Sequence, residues 1–434
     1  MAVQSTSASD TRRNFLALWG DYFFFGVAMH FLSQTTVLPS LVRHLTDSAP
    51  LIGLVSTIQT GGWLLPQLIA ANYVADKPLK KRYVAIPALA GRLLYPFLAW
   101  AIWAWAEPHP RLTLALFYLA YSLFVLADGL ASVPWFDVFS KSLPPRLRGR
   151  LVGWAQMTMG IAGIGAGLAV GRILGAEGPG YPANYALLYL IASVSLGLSL
   201  LSFLQVRERP SQEVTARMPW AHFLPQLARV LREDRSFRAL IVTRLLVGWS
   251  GMAMPFYVVY ALDVLGFQPG VIGTFVSAQV VGGILSGAAM GYIGEHKGTR
   301  AVIRFAAVFA LASPLTALAL AFVREALPVG WLIYAYSLIF AALGALANAN
   351  MAGFMNYILE IAPEAERPLY VGLANTLSSL VLLAPLVGGL ILEAASFHGL
   401  MLATAAVTAM GFILSLGLGE PRERAARVAE LSGA

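Results

Sequence analysis

Four ionisable side chains interrupt long apolar stretches of the sequence and are the first candidates for chemistry. They are Asp21, Arg92, Asp128 and Arg244. An ionisable side chain near the centre of a bilayer costs at least about 2.5–3.5 kcal/mol, so each of these residues needs a partner or a function. Counted along their helices at about 1.5 Å per residue, Asp21, Arg92 and Asp128 fall at similar depth. Two acids and one base at one height predict a buried ion-pair cluster.

Two interpretations of this cluster are open. In the first, Arg92 and Asp128 form a structural pair that holds the helices together. In the second, Asp21 or Asp128 takes up and releases a proton as a central cavity opens to alternate sides, because protonation breaks the pair and changes the favoured conformation. Arg244 either binds an anionic group in that cavity or links to carbonyl groups of the inner loops.

Further polar and aromatic residues in the apolar stretches are candidates for lining a substrate cavity. They are His30, Gln34, Trp249, Tyr257, Asn348 and Asn350. Hydrogen bonding between neighbouring helices is the alternative role for the polar ones, and packing is the alternative for the aromatic ones. His30 lies about half a turn round a helix from Asp21, so we do not expect both to face the cavity squarely.

The composition indicates that lipid surrounds these stretches. The 434 residues are 58% hydrophobic and only 12% charged, whereas a soluble protein carries about 25% charged residues. The chain contains no cysteine, which excludes disulfides and thiolate metal sites. No phosphate-binding loop, metal cluster or nucleophile elbow is present in the sequence. We therefore expect no enzyme, no cofactor and no bound metal.

The apolar stretches are long enough to cross a bilayer as helices, which takes about 20 residues each. They fall near 14–40, 51–75, 83–106, 112–139, 151–174 and 184–205, and again near 238–264, 270–294, 301–323, 329–359, 369–394 and 398–419. The predicted fold is all-α, with 12 transmembrane helices in two six-helix bundles, 14–205 and 238–419. Residues 1–13 and 420–434 are predicted tails, and 206–237 is a predicted linker with an amphipathic helix on the membrane surface.

The basic residues predict the orientation. Segments on one side hold most of the 30 lysines and arginines, whereas the other side holds only Arg43, Arg111, Arg172 and Arg324. Because basic residues stay on the cytoplasmic side, both termini are predicted to be cytoplasmic, and the net charge of +8 reflects topology rather than nucleic-acid binding. The expected location is the cell membrane.

Two loops carry the same pattern of one acidic residue followed by basic ones. The first begins at Asn72 and contains Asp76, Lys77, Lys80 and Lys81; the second begins at Gly291 and contains Glu295, Lys297, Gly298 and Arg300. The interval between the loops also separates Pro144 from Pro363, Arg148 from Arg367 and Gly153 from Gly372. Landmarks in register over such a distance indicate a duplicated chain.

These loops also predict a cytoplasmic latch. An acidic residue that ends a helix, followed by basic residues, can pair across the bundle and reach opposing helix ends. The candidate latch residues are Asp76, Lys77, Lys80, Lys81, Asp137, Arg148, Glu295, Arg300 and Arg367. We expect them to hold the cytoplasmic side shut while the cavity opens outward. The alternative is that the basic residues only fix the topology.

Twelve spans in two halves, with these loops after spans two and eight, resemble the major facilitator superfamily. The family pattern is roughly Gly-x-x-x-Asp-Arg/Lys-x-Gly-Arg/Lys-Arg/Lys. The second loop keeps Gly291, Glu295, Gly298 and Arg300, whereas the first has Asn72 and Leu79 where the family prefers glycine. The resemblance implies two pseudo-symmetric bundles and a cavity lined by spans one, four, seven and ten. It assigns no subfamily, since span four lacks the arginine-centred motif of proton-driven drug exporters.

The expected function is secondary active transport of a small organic solute by rocking of the two bundles, driven by a proton gradient. Export of an amphiphilic compound leads, and uptake of a polar metabolite or an organic anion is the alternative. A lipid flippase or a non-transporting membrane sensor on the same fold is the alternative from a different functional class. The expected partners are the solute and the bilayer, and the expected state is a monomer.

Overall fold

The computed structural model describes residues 8–211, 229–363 and 366–423, and every regular element in that part is a helix. The first half contains α1 (Ala8–Phe31), α2 (Val37–Leu45), α3 (Ala49–Val74), α4 (Lys81–Arg92), α5 (Leu94–Trp105), α6 (Pro110–Ser142), α7 (Pro145–Leu174) and α8 (Ala183–Leu204). The second half contains α9 (Arg235–Gly248), α10 (Phe256–Asp263), α11 (Val271–Val323), α12 (Val329–Ala349), α13 (Asn356–Ile361), α14 (Arg367–Ser378), α15 (Ala384–Ala394) and α16 (Phe397–Leu416). Residues 220–228 of the predicted linker helix lie outside the described residues.

Nine helical stretches of the described part are long and apolar enough to cross a membrane. Helix α11 alone covers two predicted spans, and Gly298 at φ 81° marks the junction between them. Large apolar side chains point away from the protein interior: Phe322 is 83% exposed, Trp331 71% and Ile69 67%. So much exposed apolar surface is characteristic of contact with lipid.

Four of the predicted spans are broken near a proline. Pro39, Pro96, Pro255 and Pro385 each lie at or just before the first turn of a helix that resumes after a break. Proline has no N–H to donate, and its ring collides with the carbonyl group four residues earlier. Pro96 therefore separates α4 from α5 at Leu93, which caps both helices.

Two compact units make up the chain, and each has its own core. The first comprises Met1–Asp47, Ile58–Met218 and Gln268–Val276, and the second comprises Ser48–Thr57, Pro219–Phe267 and Ser277–Ala434. In the first unit, α1 packs on α7 and α8, α4 packs on α6, and α5 packs on α8. In the second unit, α9 packs on α16 and α14 around buried residues such as Phe237, Tyr357 and Leu373.

Candidate functional site

The first unit contains a cavity of about 360 Å³ between its helices. Its walls come from α1, α3, α4, α6, α7 and α8. Aromatic and sulfur-containing side chains dominate the lining: Tyr22, Phe25, Met29, Trp63, Trp135, Phe136 and Met159. Three charged residues interrupt this apolar surface, namely Asp21, Arg92 and Asp128. A concave apolar site with few, converging polar groups is the usual form of a small-molecule site.

Helix α1 presents a broad face to the cavity. Asp21, Phe25, Met29 and His30 all line it, and at about 100° per residue Asp21 and His30 stand at the two edges of this face. The cavity therefore spans half the circumference of α1, and the two residues line it from its edges, so they do not both face it squarely. The His30 Nε2 atom is buried and has no hydrogen-bond partner among the described residues.

The carboxylate of Asp21 is held by two neighbouring helices. Ser199 Oγ on α8 donates to Asp21 Oδ1 at 2.5 Å, and Trp135 Nε1 on α6 donates to Asp21 Oδ2 at 2.7 Å. Asp21 itself is only 5% exposed. Hydrogen bonds to a charged acceptor are about twice as strong as neutral ones. These two bonds fix the carboxylate at the edge of the cavity.

Close helix packing positions the second carboxylate. Helices α3 and α6 approach so closely at Gly129 that a Cβ atom there would lie 2.7 Å from the carbonyl oxygen of Gly62. This contact places Trp63, the next residue on α3, beside Asp128, with its indole within reach of the Asp128 carboxyl group. Each carboxylate of the cavity therefore has an indole beside it.

The arginine of the cavity binds main-chain and aromatic groups instead of a carboxylate. Arg92 Nη1 donates to the carbonyl oxygen of Leu196 at 3.1 Å, and its guanidinium carbon lies 5.9 Å from the centre of the Phe25 ring. Among the described residues, no salt-bridge contact joins Arg92 to Asp21 or Asp128, although both carboxylates lie within the range of its charge. The three residues thus line one cavity, but Arg92 forms an ion pair with neither carboxylate.

The second unit holds the other cavity candidates except Gln34, which lies in the first unit. Arg244 on α9 is 8% exposed and Tyr257 on α10 is 1% exposed. The carbonyl group of Tyr257 accepts a hydrogen bond from the Tyr336 hydroxyl at 2.8 Å, and Asn348 Nδ2 donates to Gly283 O at 2.7 Å. Trp249 begins a short 3₁₀ turn, and Asn350 begins a π-helical segment that ends at Met355. π-Helical turns often occur at functional sites.

Several of the predicted latch residues form a network within the first unit. Asp137 on α6 pairs with Lys80 at 2.6 Å and with Lys141 at 2.8 Å. Lys81 Nζ donates to the carbonyl oxygen of Leu204 at the end of α8, at 2.6 Å. Asp76 forms an ion pair with the adjacent Lys77 at 2.9 Å. At the start of α7, Arg148 Nε donates to the carbonyl oxygen of Leu143 at 3.1 Å.

The corresponding residues of the second unit have local partners as well. Glu295 and Arg367 line a second cavity of about 490 Å³. The main-chain oxygen of Glu295 accepts from Arg422 at 3.1 Å, and Arg300 pairs with Glu423 at 3.2 Å.

Two glutamates that the sequence did not single out organise these loops. Glu208, which follows α8, accepts hydrogen bonds from the backbone N–H groups of Lys80 and Lys81 at the start of α4. In the second unit, Glu420 follows α16 and accepts from the backbone N–H of Arg300 at 3.1 Å. The sequence interpretation also missed Trp63, Trp135 and Ser199. Trp135 lies seven residues after Asp128, on the same helix face, and this spacing could have indicated it.

The sequence matches the family profile of the Major Facilitator Superfamily over residues 23–381 and 250–433. The chain belongs to the Major Facilitator Superfamily. Members of this superfamily are membrane transporters, and the nine apolar stretches among the described residues make this member a multi-pass membrane protein. The resemblance predicted from the two loops is thereby confirmed.

Solved structures of other superfamily transporters share the fold. The nucleoside transporter NupG has a TM-score of 0.70 at 15% identity, with 94% of this chain and 100% of that chain covered. A bacterial homologue of the iron transporter ferroportin has a TM-score of 0.64 at 14% identity, with 95% and 99% covered. A bacterial homologue of the human lysosomal transporter Spinster has a TM-score of 0.62 at 15% identity, with 95% and 97% covered. A comparison with curated proteins finds no match.

Proposed function

We propose that this protein is a secondary active transporter that exports a small amphiphilic organic solute in exchange for protons, by alternating access. The observation that carries the proposal is the cavity of the first unit, where Asp21, Arg92 and Asp128 interrupt an apolar and aromatic lining. The lining suits the apolar part of an amphiphile, and the charged residues suit its polar group and the proton.

The charges of the cavity supply a physical reason for proton coupling. With both carboxylates ionised, two negative charges face one positive charge, and the cavity carries one unbalanced negative charge. Unbalanced charge is costly among apolar walls. A proton on Asp21 or Asp128 removes the imbalance, so protonation favours the conformations in which the cavity is shut off from water.

Flux into proteoliposomes with an imposed pH gradient tests this function. Candidate solutes are first found by thermal stabilisation of the purified protein with a panel of metabolites and drugs. We expect Asp21→Asn or Asp128→Asn to abolish gradient-driven accumulation and to leave exchange of the solute measurable. Glu107→Gln, in an exposed loop, is the matched control and should transport normally. Unchanged accumulation in both cavity variants would remove the coupling proposal.

The same assay separates the other functions that the fold permits. Gradient-driven uptake of a polar metabolite or an organic anion would replace export of an amphiphile. Movement of lipid between leaflets would indicate a flippase, and a saturable ligand without flux would indicate a sensor. We further propose that the protein works as a monomer in the cell membrane with both termini in the cytoplasm, and that the proton gradient alone drives it.

A further inference from the structure

We infer that the solute is a lipophilic organic cation, whose charge lies beside Asp128 and Asp21 and whose apolar body packs on the indoles of Trp63 and Trp135. This inference rests on the proposed function and adds the chemical class of the solute. Three independent features of the cavity support it: its charge balance, the placement of its aromatic rings and the bonds that already occupy Arg92.

The charge balance favours a monocation. Asp21 and Asp128 bring two carboxylates to the cavity, and Arg92 brings one guanidinium. When both carboxylates are ionised and His30 is neutral, one negative charge is left without an opposite charge. A monovalent cation cancels this charge, whereas a neutral solute leaves it and an anion doubles it. A cation and a single proton are therefore alternative means of neutralising the same cavity.

The aromatic rings lie where a cation would need them. The Trp135 indole is hydrogen-bonded to Asp21, and the Trp63 indole neighbours Asp128, so a cation drawn to either carboxylate also meets an aromatic ring. Cations within about 6 Å of an indole ring are stabilised by its electron-rich face, and more strongly where water is excluded. Met29 and Met159 complete the wall with flexible side chains that adapt to apolar bodies of different shape.

Arg92 is poorly placed to bind an anion. Its guanidinium already donates to the Leu196 carbonyl group and lies over the Phe25 ring, and an organic anion that reached it would also face both carboxylates. The geometry therefore uses Arg92 to moderate the negative charge of the cavity. The positive charge needed for balance comes from the solute.

Binding of shape-matched ions tests the sign of the charge. The probes are tetraphenylphosphonium and tetraphenylborate, which share a shape and carry opposite charges, together with the smaller pair benzyltrimethylammonium and its uncharged isostere neopentylbenzene. Calorimetry on the purified full chain in detergent should give saturable binding of at least one of the two cations. The same measurement should give at least about tenfold weaker binding, or none, for its matched probe.

Variants of the cavity supply a readout that misfolding cannot imitate. Asp128→Asn should weaken binding of the cation by about tenfold or more. The double variant Asp21→Asn with Asp128→Asn leaves Arg92 as the charged residue of the cavity. It should therefore no longer bind the cation and should bind tetraphenylborate instead. A misfolded protein would bind neither ion. Trp63→Leu should weaken binding of the cation, whereas Trp103→Leu, at a position that is 62% exposed, should bind the cation as the wild type does.

Three results would overturn the inference: neither cation binds, the matched probes bind equally well, or Asp128→Asn keeps the cation affinity of the wild type. These results are distinguishable from failure of the proposed function. If a neutral or anionic amphiphile is transported in a manner that needs Asp128, the function stands and the cation inference falls. If the cations bind as expected but no solute crosses proteoliposome membranes, the charge selectivity stands and the transport proposal falls.

Discussion

Lys81 donates its backbone N–H to the carboxylate of Glu208 at 2.7 Å, although the two residues are 127 positions apart in the sequence. Lys81 begins α4, and Glu208 follows α8. The contact ties the end of the first half to the helix that carries Arg92. Arg300 and Glu420 make the equivalent contact in the second unit, at 3.1 Å. Each half thus closes on the start of its own third span.

Glu208→Ala should therefore destabilise the protein. The Glu208 side chain is 5% exposed and also pairs with Lys141 at 2.8 Å. Its removal leaves two backbone N–H groups without their acceptor and takes from Lys141 one of its two carboxylate partners, the other being Asp137. Loss of buried hydrogen bonds to a charged group costs about 1–3 kcal/mol. Thermal unfolding in detergent should give a lower midpoint for Glu208→Ala. The exposed Glu177→Ala is the control, and equal midpoints for the two variants would contradict the role assigned to Glu208.

Gly298→Ala should destabilise the second unit. Gly298 has φ 81° and ψ 174°, a region that is essentially restricted to glycine, where other residues cost about 1–3 kcal/mol. A Cβ atom there would also lie 2.3 Å from the Glu420 carboxyl group. Gly291→Ala, on the same long helix with nothing within 4 Å of its added Cβ, should unfold at the wild-type temperature or above. A thermal unfolding midpoint for Gly298→Ala at or above that of Gly291→Ala would contradict the backbone strain assigned to position 298.

Ser199→Ala should impair transport by releasing one oxygen of Asp21. The hydrogen bond that is lost has a charged acceptor and contributes about 1.5–3 kcal/mol, so proton-driven accumulation should fall by about tenfold. Ser195→Ala is the matched control, because its hydroxyl bonds to Ile191 O within the same helix. Ser199→Thr keeps the hydroxyl group and should restore most of the activity. Equal accumulation by Ser199→Ala and Ser195→Ala would show that this bond is dispensable.

The latch that the loops predict can be tested by chemical labelling. The chain contains no cysteine, so a single cysteine introduced near the Ser142 end of α6, which we predict to be the cytoplasmic end, reports accessibility without background. Asp76→Ala and Glu295→Ala should each increase its rate of reaction with a maleimide, because the cytoplasmic side opens more often. Asp47→Ala, which removes a surface pair with Arg43, should leave the rate unchanged. Identical rates in all variants would count against a latch.

The sequence was sufficient to find residues whose type is unusual for their surroundings, such as a charged residue in an apolar stretch. Asp21, Arg92 and Asp128 stand out because charge is expensive in an apolar stretch, and the structure brings all three to one cavity. The proline breaks could not have been predicted in the same way, because four other prolines lie inside continuous helices: Pro66, Pro87, Pro134 and Pro314.

Residues that act through long-range contacts were missed. Glu208 lies in a polar loop, where a carboxylate looks like any solvated charge, and its role depends on the end of α8 meeting the start of α4. Ser199 and Trp63 are ordinary residues for a membrane helix until packing places them beside a carboxylate. The close approach of α3 and α6 at Gly129 brings Trp63 beside Asp128, and no local sequence pattern predicts it.

The helix break at Pro96 determines which backbone groups stabilise the positive charge of Arg92. Without an N–H at Pro96, the carbonyl group of Arg92 lacks the donor that a continuous helix would supply, and Arg92 stands at the negative pole of α4. Its guanidinium meanwhile rests on the carbonyl oxygen of Leu196. Both partners are peptide dipoles, which no titration can switch off. The positive charge of Arg92 is thus held by backbone groups. Asp21 and Asp128 are the members of the trio that bind and release protons or cations.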